Sequence, residues 1–279
     1  AENACREARK DGEGKIRGFH SDEKIRARRD AIASQVAQLD RKLADEKILL
    51  RCQKIIPLHP RTRMGTQYEI LLSVHDASGN LIPAGEFVRA AEDYKRMQMV
   101  DRWVVGHALD WMKDNRRQIE AMGGICINLS GHSLNDEKLL EFIFERLTQY
   151  DVPLDKVCFE ITEAAVITNT HDVSEFIHEL QEYGCRFCLG NFGSGVSYQL
   201  LKQLPVDMIK VDGSYIREVV TDSNDRMMVR SMTEMAHYLG REIIGPHVET
   251  KATVDVLKEL GVDYVQGYFI ERPKSLANF

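Results

Sequence analysis

Eight short apolar segments constrain the fold of this chain more than any other feature: Leu50 to Pro57, Tyr68 to Val74, Ile125 to Leu129, Val157 to Ile161, Arg186 to Leu189, Met208 to Val211, Glu242 to Gly245 and Tyr264 to Phe269. From the third to the eighth, helical patterns alternate with them, as at Asp136 to Thr148, Val173 to Glu182, Asp225 to Tyr238 and Thr253 to Leu260. That alternation predicts parallel strands joined by crossover helices. The first two segments are separated only by His59 to Thr66, too short for a crossover helix, so those strands are expected to be antiparallel. The fold class that follows is α/β: a TIM-like (β/α)8 barrel with one antiparallel strand. With 43% hydrophobic residues, the chain can bury one core of that size.

Ahead of the barrel, residues 1–20 read as a short helix (Cys5 to Arg9), a glycine turn and a small strand (Lys15 to Phe19), too little to fold alone. In residues 21–47, Ile25, Ile32, Val36, Leu39 and Leu43 follow a seven-residue repeat with charges between them. This is the pattern of a connecting helix, and pairing in a dimer or packing on its own barrel both remain open. The barrel domain then spans 48–279.

A formal net charge of -6 gives no electrostatic reason to expect a nucleic-acid or anionic-membrane partner. No apolar run approaches the roughly 20 residues that cross a bilayer. The six cysteines are scattered, mostly in apolar runs such as ICINL and VCFEI, where a free thiol behaves as a small hydrophobe. The expected compartment is therefore the reducing cytoplasm. Cys185 and Cys188 form a C-x-x-C, but where a helix ends and a strand begins, whereas the redox motif opens a helix.

In such barrels chemistry gathers at the carboxyl ends of the strands. Asn128, Glu160, Lys210, Asp212, Glu249 and Gln266 fall at those ends. Any one alone reads as a satisfied structural hydrogen bond. Six at equivalent ends of successive strands read as a site.

At these residues the sequence resembles the EAL family, which cuts cyclic di-GMP to a linear dinucleotide in bacterial signalling, with outputs such as biofilm or motility regulation. The resemblance runs from about Ile48 to Pro273 through QKIIPL at Gln53, EILLS at Glu69, INLS at Asn128, FEITE at Glu160, GNFGSG at Gly190, LPVDMIKVD ending at Asp212, HVET at Glu249 and VQGYFIERP ending at Pro273. The opening ACREARKDGEGKIRGF is similar to the end of a GGDEF cyclase domain, which implies a tandem GGDEF-EAL protein.

Family chemistry uses two divalent metals, one activating water and both neutralising charge on the phosphate, with hard oxygen ligands suited to magnesium or manganese. The resemblance places Glu69, Asn128, Glu160, Asp212 and Glu249 on ligand positions. It departs at Gly190 and Asn191, where the family has two aspartates; glycine has no side-chain donor and asparagine only a neutral one. The family arginine two positions after Leu71 is Ser73, which removes a guanidinium expected to fork onto a ligand phosphate. Pro246 and His247 stand where the family has glutamate and glycine. His247 is a new ligand or acid, or neither.

Other positions still look built for the nucleotide: Gln53 and Gln266 for guanine edges or ribose, Leu71 beside them, Lys210 near the phosphate, and Asp212 and Glu249 at strand ends. Lys210 and Glu249 are at most vestigial catalytic groups. Glu69, Asn128 and Glu160 form a residual half of the metal site, holding at most one Mg2+ or Mn2+ weakly, with no cofactor required. Glu163 matches the glutamate that anchors the loop after the fifth barrel strand, a loop that helps form dimers in related domains. The expected partners are cyclic di-GMP, a second copy of the chain and a signalling protein.

Three readings stay open: an inactive or severely impaired domain that receives cyclic di-GMP, a nucleotide-independent interaction or regulatory domain, and a residual metal-dependent phosphodiesterase.

Overall fold

The strands of the sheet, in a computed structural model that describes residues 48–75, 80–168, 170–193, 195 and 198–279, are β1 (Ile48–Pro57), β2 (Gln67–His75), β3 (Leu81–Pro83), β4 (Gly124–Leu129), β5 (Val157–Thr162), β6 (Arg186–Phe192), β7 (Met208–Val211), β8 (Glu242–Gly245), β9 (Tyr264–Gln266) and β10 (Lys274–Ser275). Strand β1 pairs antiparallel with both β2 and β9, and this closes β1, β2 and β4 to β9 into an eight-stranded barrel. All other barrel pairings, from β2–β4 round to β8–β9, are parallel. The reversed strand is therefore the first, as the short loop to the second requires. The expected GGDEF-like remnant over 1–20 and the connecting helix over 21–47 lie outside the described residues.

Two short strands escape the sequence pattern. Strand β3 extends β2, and β10 extends β1 through Arg51↔Ser275 and Cys52↔Lys274. The expected last strand, Tyr264 to Phe269, stops at Gln266. There Gly267 lies so close to the backbone of Val248 that a Cβ would overlap it, and Phe269 N turns back to donate to Val248 O at 3.0 Å.

Helices cover the barrel. Between β3 and β4, where the sequence reading assigns none, run α1 (Gly85–Asp93), α2 (Met97–Asp114) and α3 (Arg116–Glu120). Then come α4 (Glu137–Tyr150), α5 (Glu163–Thr168), α6 (Thr170–Glu182), α7 (Tyr198–Gln203), α8 (Gly213–Arg217), α9 (Ser223–Tyr238) and α10 (Lys251–Glu259). Helix α4 shows why these form. Asp136 caps it by accepting from Lys138 N, and Leu139, Ile143 and Leu147, four apart, make one buried stripe. Full burial of each such side chain is worth about 1.5–3 kcal/mol of transfer free energy. Among the described residues no helix is long and apolar enough to cross a membrane.

Inward-facing residues stack in layers because strand side chains alternate with period two. The lower layer is apolar: Ile55, Cys126, Cys158, Cys188, Met208, Ile244 and Tyr264. The next inward positions along the strands, at the carboxyl ends of the parallel ones, are Gln53, Glu69, Asn128, Glu160, Gly190, Lys210, Pro246 and Gln266. The packed barrel floor thus carries a polar layer at its mouth.

Candidate functional site

That polar layer forms the bottom of an open cavity of about 480 Å³. Lys210 is at its centre, only 5% exposed. Its Nζ lies 3.0 Å from Glu69 Oε2 and in direct contact with Glu160 Oε2. Glu69 is held on every side: Asn128 Nδ2 donates to Oε1 at 2.9 Å and Gln266 Nε2 to Oε2 at 2.6 Å. Gln266 also donates to Gln53 Oε1 at 3.1 Å, and Gln53 Nε2 donates to Glu271 O at 3.1 Å. The network links six strands of the barrel, β1, β2, β4, β5, β7 and β9, and its bonds to Glu69 and Glu160 are charge-assisted.

Burial raises the Glu69 carboxyl, but the Lys210 charge and the donors from Asn128 and Gln266 outweigh it and leave it below the ordinary range. Burial raises Glu160, and the neighbouring Glu69 charge adds to that against the pull of Lys210. Burial opposes the charge on Lys210, yet the two carboxylates hold its pKa well above the usual lysine value. One ammonium thus sits between two buried carboxyl groups.

Strand β6 carries Gly190 and Asn191. Its register against β7 shifts between Leu189 and Phe192, so Gly190 and Asn191 form a bulge opposite Lys210. Asn191 adopts a φ of 53° and is exposed at the cavity wall. A Cβ at Gly190 would overlap Glu160 Oε1 and lie 3.1 Å from its Cγ and Cδ. The carboxylate that contacts Lys210 fills the space left by the absent side chain.

These residues do not fit a pair of divalent ions. Gly190 supplies no donor, Asn191 supplies a neutral one, and Lys210 already occupies the space between Glu69 and Glu160. A single cation held by Glu69, Asn128 and Glu160 would have to displace that ammonium. Among the described residues, the one close-set group of three His, Cys, Asp or Glu ligand atoms is His171, Asp172 and Glu175, none of which lines the cavity.

The other expected site residues divide. Leu71, Ser73, Pro246, His247 and Glu249 line the cavity with Gln53 and Gln266. His247 holds a left-handed φ of 56°, which favours glycine, and its ring packs on Gly213. Asp212 is not in the lining; its Oδ1 accepts from Ser214 N at 2.8 Å and from Ser214 Oγ, which caps α8 and lowers its pKa. Glu163 is 1% exposed and accepts from Gly193 N at 2.9 Å and from Gly195 N, so it pins the turn after β6.

Sequence reasoning gave no site role to three contributors. Asp101 is buried and accepts from Ser130 N, Ser130 Oγ and Ser133 Oγ at 2.6–3.0 Å, which fixes the chain just beyond Asn128. Tyr268 offers a half-exposed ring at the cavity wall, with the Arg272 guanidinium 4.8 Å above it. Arg51, on the same strand face as Gln53, also lines the cavity. The period-two alternation around Gln53 was the signal that could have found it.

Residues 36–273 match the EAL domain family. The chain is 32% identical over its whole length to the cyclic di-GMP phosphodiesterase PdeB of Shewanella oneidensis, and 32% identical over 75% of its length to PdeF of Escherichia coli. It spans about a third of the length of these curated relatives, 32% and 28%. Among solved structures it is similar to the PaMucR phosphodiesterase in complex with c-di-GMP, with a TM-score of 0.81, 24% identity and coverage of 88% of this chain and 99% of that one. At that identity the likeness is one of fold. It is also similar to the Xanthomonas citri FimX EAL domain in complex with c-di-GMP, with a TM-score of 0.80, 25% identity and coverage of 91% and 98%.

Proposed function

The chain belongs to the EAL domain family, and from that premise we propose that it binds cyclic di-GMP at the barrel mouth and hydrolyses it poorly or not at all. The observation that carries this reading is Lys210 between Glu69 and Glu160, with Glu160 leaning over Gly190. An internal ammonium supplies the positive charge that these carboxylates would otherwise draw from metal ions. A water molecule here lacks two cations to lower its pKa and to clamp the phosphate, so the rate should fall by several powers of ten.

Binding makes different demands from cutting. The relatives are named as phosphodiesterases and the similar structures hold c-di-GMP. In this chain the polar floor, the ring of Tyr268 and the open cavity are in place for a planar, hydrogen-bonding ligand. The physiological reading is a receptor: nucleotide in the cavity changes the surface offered to a second copy of the chain or to a signalling protein. Glu163, which joins the site to the turn at Gly193 and Gly195, is the route by which occupancy would reach that surface.

Calorimetric titration of cyclic di-GMP in chelator, and again with magnesium or manganese, tests the proposal. Binding of similar affinity in all three supports it. Absence of binding in every buffer leaves the nucleotide-independent reading. Light scattering with and without nucleotide reports whether the chain pairs.

A further inference from the structure

The cavity that should take an anion is lined by three carboxylates, Glu69, Glu160 and Glu249, against two permanently charged cations, Lys210 and Arg51. Lys210 is spent on two of those carboxylates. Arg51 is not: among the described residues it forms no ion pair, and the guanidinium hydrogen bond seen is from Nη2 to the neutral carbonyl of Pro273. A guanidinium has five donors in a rigid fork, so most of its capacity stays available at the cavity wall.

Its placement follows from register. Arg51 pairs with Leu71 across the β1–β2 ladder, and Leu49 pairs with Ser73. Residues 51, 71 and 73 therefore share one face, and Ser73 is the diagonal neighbour of Arg51. Such diagonal positions lie about 7–8 Å apart, within reach of a long side chain. Ser73, 2% exposed, lines the cavity with Arg51 and carries no charge of its own. The backbone carbonyl of Pro273 holds the guanidinium at the wall from the β10 side, where β1 pairs Arg51 with Ser275.

We propose that Arg51 is the phosphate-binding cation of this cavity, reaching from β1 past Ser73 to donate to a phosphodiester oxygen of the bound cyclic dinucleotide. This rests on the proposed function and adds to it: the anion is met on the first strand of the barrel, by a residue whose charge no carboxylate cancels.

The test compares wild type with Arg51→Gln, using cyclic di-GMP as the probe. Glutamine keeps an amide donor at this position but carries no charge. A purely structural role predicts unchanged affinity, whereas a phosphate contact predicts a loss of about 10- to 100-fold and a flatter dependence of affinity on salt. If the variant folds poorly, phenylglyoxal labelling of wild-type protein mapped by mass spectrometry serves instead, and bound nucleotide should protect Arg51. Binding by wild type that Arg51→Gln leaves within twofold, or equal labelling of Arg51 with and without nucleotide, overturns this proposal and leaves the receptor reading standing. No binding by wild type overturns both.

Discussion

The carboxylate of Glu160 occupies the space that a side chain at Gly190 would need. Inside the barrel Glu160 fills the space beside Gly190 and takes Lys210 as its partner. Adding a methyl group should expose this directly. Gly190→Ala is expected to lose about 1–3 kcal/mol by overpacking, read by denaturant unfolding. The loss should shrink when Glu160→Ala is also present, a coupling that a double-mutant cycle measures.

Lys210 holds together two buried carboxyl groups that are 8% and 6% exposed at the residue level. Removing it leaves them unpaired. Lys210→Ala should cost about 3–5 kcal/mol, and manganese should raise the melting temperature of this variant more than that of wild type. Equal metal effects on both proteins would show that the ammonium does not compete with a cation.

The pH dependence follows from Glu69, whose pKa lies below its ordinary 4.5. A carboxylate lowered by folding contributes stability above its unfolded pKa and loses it as pH falls through the folded one. The melting-temperature gap between wild type and Glu69→Gln should therefore be widest near neutrality and close as the solution is acidified below 4.5. A gap that stays constant would mean Glu69 is not charged in the folded protein.

Cys52, Cys126, Cys158, Cys185 and Cys188 are free and buried. Burial pushes Cys52 up to about 11 and Cys185 up to about 12, so neither of these two is a reactive thiolate at neutral pH. Alkylation mapped by mass spectrometry should find all five unlabelled in the folded protein and labelled in denaturant. Rapid native labelling of the Cys185 and Cys188 pair would revive a redox role.

Much of the barrel was legible because its strands are compact apolar runs and the His59–Thr66 connection is too short to reverse direction any other way. Strands β3 and β10 were not legible, since two or three residues give no period. Helix α2 could have been read from Val100, Val104 and Ala108, yet the strand-based pattern passed over it. In the site, residue type and strand-end position were visible for Glu69, Asn128, Glu160, Lys210 and Gln266. Partnership was not. Nothing in the order of residues says that Glu160 lies over Gly190, that Asp212 caps α8 instead of lining the cavity, or that Arg51 reaches the cavity wall from the first strand. The first depends on the β6 bulge and the third on a contact across 222 residues of sequence, whereas the Asp212 cap is local, set by Ser214 two residues on.

The most direct test of the account is to hold purified protein in excess over cyclic di-GMP with magnesium or manganese and to separate the nucleotides chromatographically over hours. The account predicts protein-bound nucleotide recovered as the intact cycle, in metal and in chelator alike. Linear dinucleotide that accumulates with metal and stops on chelation would contradict it.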